Sequence, residues 1–447
     1  MKLAEESRTF GGISPFGLQI GNPKRSVLAL KQSRGENFYP YYAGFSESFA
    51  YNLLHSLKRR KELVVLDPWN GSGTVTSAAT NLGVASVGID INPVMVIIAK
   101  ARLLSRYDID SMLPLAAHIL EESRIIKIPD CSGSLLRNWY DLATSKRVRK
   151  VGSAINKILT TEEYQNADFE IHNASCISSI AAFFYVALFR TVRSYLDGFK
   201  TTNPTWIKSA KDETNHISIR RDNFENCFLK QVSSLLSVIP SRWQDSELFE
   251  SRILLGNSSL IDLPDQSIDI VLTSPPYCTR IDYAVATSPE LATLGMTQSQ
   301  YAAFRVEFMG TATNATATPT PIPEWGKSCI DFIKLVESHA SKASSGYYYK
   351  NHCQYFGGLF KSISEINRVI KKKGTCCMVV QDSFYKNIHN DLPKIVVEMG
   401  SEFDLHFRQE MEFPSNRSMV SRNSRATKYV SNRTVTEKVI VLQREGV

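Results

Sequence analysis

The 447-residue chain holds 52 Lys and Arg against 44 Asp and Glu, a formal net charge of +8, with 43% hydrophobic and 21% charged residues. Length and balance together exclude a disulfide-stapled miniprotein and a disordered chain, and the cationic excess suits a partner that carries phosphates. None of the 8 cysteines falls in a Cys-x-x-Cys pair, which leaves out a zinc ribbon and a thioredoxin-like redox motif.

The N-terminal MKLAEESRTFGG lacks the apolar core of a signal peptide. The first structured signal is Leu63 to Leu66 (LVVL), a short apolar run of the kind found in a parallel strand buried on both faces. Pro and two Gly break it over Asp67 to Gly73, Thr74 to Leu82 has helical composition, and Ala85 to Ile89 reads as the next strand. Pro93 then stands where a proline opens a helix. Residues 106–250 are mostly helical in pattern and rich in Arg and Lys. Their most apolar run, the 13 residues from Ile177 to Phe189, is stopped by Arg190 and is too short to cross a bilayer, so it predicts a buried helix and no membrane contact. Strand texture returns at Arg252 to Leu255 and Ile268 to Leu272. Gly310 to Pro323, uncharged and rich in Thr, Ala and Pro, predicts a mobile loop or lid. Leu359 to Ile370 predicts an amphipathic helix ended by Lys371 to Gly374, and Cys376 to Val380 and Val439 to Leu442 predict two further strands. The fold class expected is α/β: 1–105 as an N-terminal segment and first half, 106–250 as a helical insertion, and 251–447 as a second half. A helical domain folding on its own is the alternative for the middle segment. The chain is expected to be soluble and cytoplasmic.

The turn Asp67-Pro-Trp-Asn-Gly-Ser-Gly-Thr74 lies where a strand meets a helix, the edge at which open α/β sheets bind ligands. It is not the dinucleotide glycine fingerprint, and Asp67 would put negative charge where a pyrophosphate would rest, so a cationic ligand suits it better. Seventeen residues after Gly73, Asp90 ends the second strand and is placed to accept hydrogen bonds from both hydroxyls of a ribose. Strand, glycine turn and terminal acid together suggest an adenosine-type ligand. Thr273-Ser-Pro-Pro-Tyr277 then follows the strand Ile268 to Leu272.

In this order, DPWNGSGT, GIDINP, GNSSLIDLPDQSIDIVLTSPPY and RVIKKKGTCCMVVQDS resemble the successive motifs of the S-adenosylmethionine-dependent DNA amino-methyltransferases, which modify cytosine N4 or adenine N6. The resemblance covers about residues 36–105 and 251–445 and implies a Rossmann-like class I methyltransferase sheet with S-adenosylmethionine as cofactor. It implies that Asp67, Pro68, Trp69, Gly71, Gly73 and Thr74 face the amino-acid end of that cofactor, that Asp90 holds the ribose, and that Ile91 packs on the adenine. Asn257 stands where the family often has an acid that meets the adenine amine, and its oxygen is expected to accept that bond; Trp69 replaces a more usual Phe. Upstream, Asn37 to Phe45 resembles a segment over the methionine end, with Tyr42 and Phe45 as wall candidates. Ser274, Pro275, Pro276 and Tyr277 become the catalytic candidates: the Ser274 hydroxyl and the Pro275 carbonyl as acceptors for the target amine, Tyr277 as a face for a flipped base. Ser274 favours cytosine N4, because the cytosine enzymes usually carry Ser there and the adenine enzymes Asp or Asn. Cys278 follows the motif directly, but ring-carbon methyltransferases place their cysteine after a single proline, so it reads as a lining or buried thiol.

Phe413 to Arg433 carries Arg417, Arg422, Arg425, Lys428 and Arg433 and no acid, as a phosphate-binding loop would. Ser145 to Lys150, Arg220, Arg221 and residues 200–208 are further candidates for nucleic-acid contact, and 106–250 is the candidate target-recognition region. His352 and Cys353 have no partners at metal spacing, so no metal is implied. Modification of RNA, and a catalytically silent nucleic-acid-binding module, stay open as alternatives. A restriction or defence partner would be a separate chain.

Overall fold

The computed structural model describes residues 18, 20–23, 38–40, 44–58, 62–160, 174–201, 203, 206–239, 250–278, 281–315, 317–415 and 435–446. Helix α1 (Glu47–Leu57) begins at Ser46, whose hydroxyl accepts the Phe49 N–H at 3.2 Å. Then come β1 (Val64–Asp67), α2 (Thr74–Asn81), β2 (Ala85–Asp90) and α3 (Pro93–Ala101), the last opened by Pro93 and capped by Asn92. The middle of the chain supplies α4 (Ile109–Ile125), α5 (Leu142–Leu159), α6 (Ser179–Ser194) and α7 (Arg221–Leu236). After β3 (Ser251–Leu255) and β4 (Ile268–Thr273) come the short α8 (Tyr283–Ala286) and α9 (Ser288–Thr293), then α10 (Gln298–Glu307) and α11 (Lys327–Ser338). The chain continues with α12 (Tyr349–Val369), β5 (Ile370–Gln381), the hairpin β6 (Ser383–Tyr385) and β7 (Ile388–Asn390), α13 (Leu392–Ser401), β8 (Leu405–Ser415) and β9 (Val435–Arg444).

Seven strands form one sheet in the order β3-β2-β1-β4-β5-β9-β8. All run parallel except β9, which is antiparallel to both β5 and β8. This is the expected α/β class, with a Rossmann-like open sheet. Its order reverses between β1 and β4, and open α/β sheets bind ligands beyond the carboxyl ends of the strands at such a point.

The run from Ala181 to Phe189 is at most 1% exposed throughout, so α6 is apolar all round because it is enclosed all round. It packs in one apolar core with Val94 to Leu104 of α3 and its flank and with Leu291 and Ala292 of α9, so the middle helices share their interior with the sheet-bearing part. Among the described residues, no helix is long and apolar enough to cross a membrane.

Three departures from the sequence expectations have local causes. Helix α12 starts at Tyr349, ten residues early, because Cys353, Tyr355 and Phe356 already bury a face while polar residues interleave. Lys371 to Gly374 do not break the chain before a strand; they lie inside β5, where Lys373 takes φ 62° and the register to β4 shifts. Strand β8 had no predicted counterpart. A register shift between Phe407 and Gln409 moves its odd-numbered residues from one face to the other, so its alternation does not mark one face.

An ion pair ties α6 to α9. Arg193 donates from Nη2 to Glu290 Oε2 at 2.8 Å and from Nε to Oε1, and Tyr39 donates its hydroxyl to the same carboxylate, which is fully buried. Removing one partner of a buried pair leaves the other uncompensated, so Glu290→Ala is expected to cost about 3 kcal/mol, the low end because Arg193 keeps some solvent contact. Adding Arg193→Met should recover part of that loss. Urea unfolding of the two variants checks both statements.

Candidate active site

β1 delivers Asp67 to the carboxyl edge of the sheet, where the chain must turn sharply into α2. It does so through Gly71 at φ 49° and Gly73 at φ 81°, backbone that side-chain-bearing residues rarely adopt. A Cβ on Gly73 would come within 2.8 Å of Ala99 Cβ, so the turn is also pressed against α3. The Asn70 N–H donates to the Ile89 carbonyl at 3.0 Å, stitching the loop to β2.

Asp90 ends β2 and organises both neighbouring loops. Its Oδ2 accepts the Gly71 N–H and its Oδ1 the Asn92 N–H, each at 2.8 Å. Asn92 in turn caps α3 and donates to Thr287 Oγ1 at 2.9 Å, reaching the second half of the chain. Asp67 is 3% exposed, and its Oδ1 accepts the Trp69 N–H at 3.1 Å and the Thr273 hydroxyl at 2.5 Å. Burial raises the pKa of Asp67 to about 7, against the pull of those two donors, and that of Asp90 to about 6.

These elements enclose a cleft of about 350 Å³. The structure brings to it Asp67, Pro68, Trp69, Gly71, Thr74, Asp90, Ile91, Asn257, Ser274, Pro275, Pro276 and Tyr277, together with Phe45. Gly73 does not line it and acts through the turn. Cys278 is buried at 3% exposure and does not face the cleft. Tyr42 lies outside the described residues, as do Arg417, Arg422, Arg425, Lys428 and Arg433.

Asn257 lines the cleft and makes a local turn with Ser259. Its Oδ1 accepts both the backbone N–H of Ser259 at 3.0 Å and the Ser259 hydroxyl at 2.8 Å, so the oxygen is spent and the amide hydrogens are its unspent polar groups.

A wall that the motifs did not announce comes from α10 and α12. Gln354, Gly357, Gly358 and Lys361 form one stripe of α12 along the cleft, with Val306 to Met309 opposite its first turns. Lys361 has no hydrogen bond or ion pair among the described residues. The usable signal was Gly357-Gly358 inside a helical pattern, a costly choice that the close approach of Pro319 and Met309 explains. The Thr-, Ala- and Pro-rich loop is tied down against this helix: Tyr347 Oη donates to the Ala312 carbonyl at 2.5 Å, Asn351 to the Thr311 carbonyl at 2.6 Å, and Gln354 Oε1 accepts the Ala315 N–H at 2.9 Å. Among the described residues, the one group with metal-ligand spacing, Asp404, His406 and Glu445, is at the opposite edge of the sheet.

No protein-family model matches the chain. It is similar to Type II methyltransferases. It is 25% identical over 295 residues to M.BsoBI of Geobacillus stearothermophilus, covering 62% of this chain and 55% of that protein. It is 21% identical over 447 residues to M.AvaI of Nostoc sp., covering 89% of this chain and 84% of that one. The chain thus spans about half the length of the first relative and most of the second. A SAM-dependent methyltransferase structure from Methanosarcina mazei matches with a TM-score of 0.31 and 9% identity over 88% of this chain and 97% of that one, too loosely to add to the sheet topology.

The two raised carboxyl pKa values give a pH signature. A carboxyl that binds its proton more tightly when folded adds stability below its unfolded pKa and loses it as pH rises through the folded value. Melting temperature should therefore decline between about pH 4 and pH 7 from these two groups, and Asp67→Asn should flatten the upper part of that decline. Calorimetric scans at stepped pH check it; an unchanged slope in the variant contradicts it.

Proposed function

We propose that this chain is a site-specific DNA methyltransferase that moves a methyl group from S-adenosylmethionine to an exocyclic base amine, with cytosine N4 as the target. The observation that carries the reading is that the Asp67–Thr74 turn, Asp90 and the Ser274–Tyr277 loop line one cleft where the strand order reverses. Similarity to Type II methyltransferases supports DNA as the substrate.

The residues fit a cationic nucleoside: the carboxyl groups of Asp67, Asp90 and Glu307 at the cleft, a glycine turn that admits close approach, and the apolar walls Phe45, Trp69 and Ile91. Bound there, S-adenosylmethionine supplies a methyl group activated by its sulfonium. Asp90 keeps carboxylate lone pairs for ribose hydroxyls beyond those taken by Gly71 and Asn92, and the Asn257 amide hydrogens would be the groups left to donate to an adenine ring nitrogen. Asp67, Pro68, Trp69, Gly71 and Thr74 border the amino-acid end, where a carboxylate complements positive charge. The target amine is a poor nucleophile because its lone pair is delocalised into the ring. Ser274 Oγ and the Pro275 carbonyl accept its two hydrogens, which favours a pyramidal nitrogen aimed at the methyl carbon, while Tyr277 stacks on the extruded base. As the N–CH3 bond forms, the S–CH3 bond breaks with its electron pair left on sulfur as a neutral thioether, and the cationic amine would pass one proton past Ser274 Oγ to solvent. The helical segment 106–250 is the proposed target-recognition region, and Arg417, Arg422, Arg425, Lys428 and Arg433 are proposed phosphate contacts.

Incubation with methyl-deuterated S-adenosylmethionine and either duplex DNA or total RNA, followed by digestion and mass spectrometry of nucleosides, tests this. Labelled N4-methylcytosine in DNA is expected, and Ser274→Ala should slow its formation about a hundredfold. Label only in N6-methyladenine moves the target to adenine. Label only in RNA overturns the DNA reading.

A further inference from the structure

The catalytic-loop candidates divide into polar groups already taken and polar groups left over. Pro275 and Pro276 have no N–H, so the backbone of Ser274 to Tyr277 offers few donors. The Pro276 carbonyl accepts the Tyr355 hydroxyl at 2.8 Å. The Tyr277 N–H donates to the Tyr283 hydroxyl oxygen at 3.3 Å. Ser274 Oγ and the Pro275 carbonyl have no partner among the described residues.

The two bonds that are made fall on one peptide unit, because the Pro276 carbonyl and the Tyr277 N–H belong to the same plane and point in opposite directions. One tyrosine comes from α12 and the other from the start of α8, so the plane is gripped at both ends by two different elements. The Tyr355 grip is firm. Tyr355 is 0% exposed and packs edge-on against Phe356 with ring centroids 5.4 Å apart. Burial holds both tyrosine hydroxyls well above their ordinary pKa, so Tyr355 remains a donor at any working pH.

Each proline ring sets its own φ, which leaves the ψ angles of Pro275 and Pro276 as the soft torsions of the loop. Gripping the Pro276–Tyr277 plane removes the second of these and sets the direction in which the Tyr277 ring leaves the backbone. It also withdraws the Pro276 carbonyl from competition with Ser274 Oγ and the Pro275 carbonyl for an amine hydrogen.

Resting on the methyltransferase reading above, we propose that Tyr355 and Tyr283 clamp the Pro276–Tyr277 peptide plane and are positioning residues for methyl transfer. They touch neither reacting atom; they hold the acceptors and the stacking face that do.

The test is a double-mutant cycle on single-turnover transfer to duplex DNA at saturating cofactor. Tyr355→Phe keeps the ring and its packing and deletes one O–H; Tyr283→Phe deletes the acceptor for the Tyr277 N–H. Each should lower the transfer rate about ten- to a hundredfold, the scale of a small misplacement of reacting groups, with the cofactor dissociation constant of Tyr355→Phe unchanged. Because both act on one plane, the double variant should fall little below the slower single variant. If Tyr355→Phe does not fold, Tyr283→Phe, which leaves α12 untouched, still reads the clamp through its transfer rate. A wild-type rate in either folded variant, losses that multiply in the double variant, or a loss in Tyr355→Phe matched by weaker cofactor binding overturns the clamp. A wild-type protein that binds cofactor and DNA yet transfers no methyl group overturns the methyltransferase reading and the clamp with it.

Discussion

The structure depends on a hydrogen bond between the ends of two neighbouring strands, β1 and β4. Thr273, the last residue of β4, donates a hydroxyl hydrogen bond to Asp67, the last residue of β1, across 2.5 Å and 206 positions of sequence. Directly after Asp67 the chain enters the glycine turn, and directly after Thr273 it enters the Ser-Pro-Pro-Tyr loop. Because β1 and β4 are neighbours at the reversal of strand order, the bond sets the relative height of the two loops above the sheet. A buried carboxylate at that junction is costly, and the raised pKa of Asp67 records the cost. Its two donors, Trp69 N–H and Thr273 hydroxyl, are what the loop geometry returns for it.

A second layer of constraints fixes what surrounds this junction. Asp90 holds Gly71 and Asn92, and Asn92 reaches Thr287, so the floor of the cleft is braced to the helices that follow the Ser-Pro-Pro-Tyr loop. Those same helices are held from outside by Arg193 of α6, which contacts Glu290 and the Ala286 carbonyl. The middle segment is thus continuous with the cleft wall through a shared core and a buried ion pair. A change in α6 would be felt at Tyr283 and Thr287, two residues that line the cleft.

The parts legible in the sequence were those where local chemistry and global fold agree. LVVL, ASVGI and IDIVL became β1, β2 and β4 because strands buried on both faces need only continuous apolar character. The glycine turn, Asp90 and Ser274 to Tyr277 were legible because each needs particular residue types at particular strand ends. The clamp tyrosines, the α12 wall and β8 were not. Tyr355 and Tyr283 matter through partners 79 and 6 residues away, which no spacing rule connects. The alternation of β8 is interrupted by its bulge, and Gln354, Gly357 and Gly358 reach the cleft because α12 begins ten residues before the helix expected from the sequence. Asn257 could be located in the sequence, but which of its atoms was free depended on Ser259 two residues on.

The central claim is that the two loops form one site, with the cofactor between Asp90 and the Ser-Pro-Pro-Tyr loop. A crystal structure with sinefungin, in which an amine replaces the methylsulfonium, tests it most directly. The ribose hydroxyls should lie on the Asp90 carboxylate, and the amine should point toward the space in front of Ser274 Oγ and the Pro275 carbonyl. A ligand bound with its ribose away from Asp90, or with its amine turned from that loop, would contradict the account.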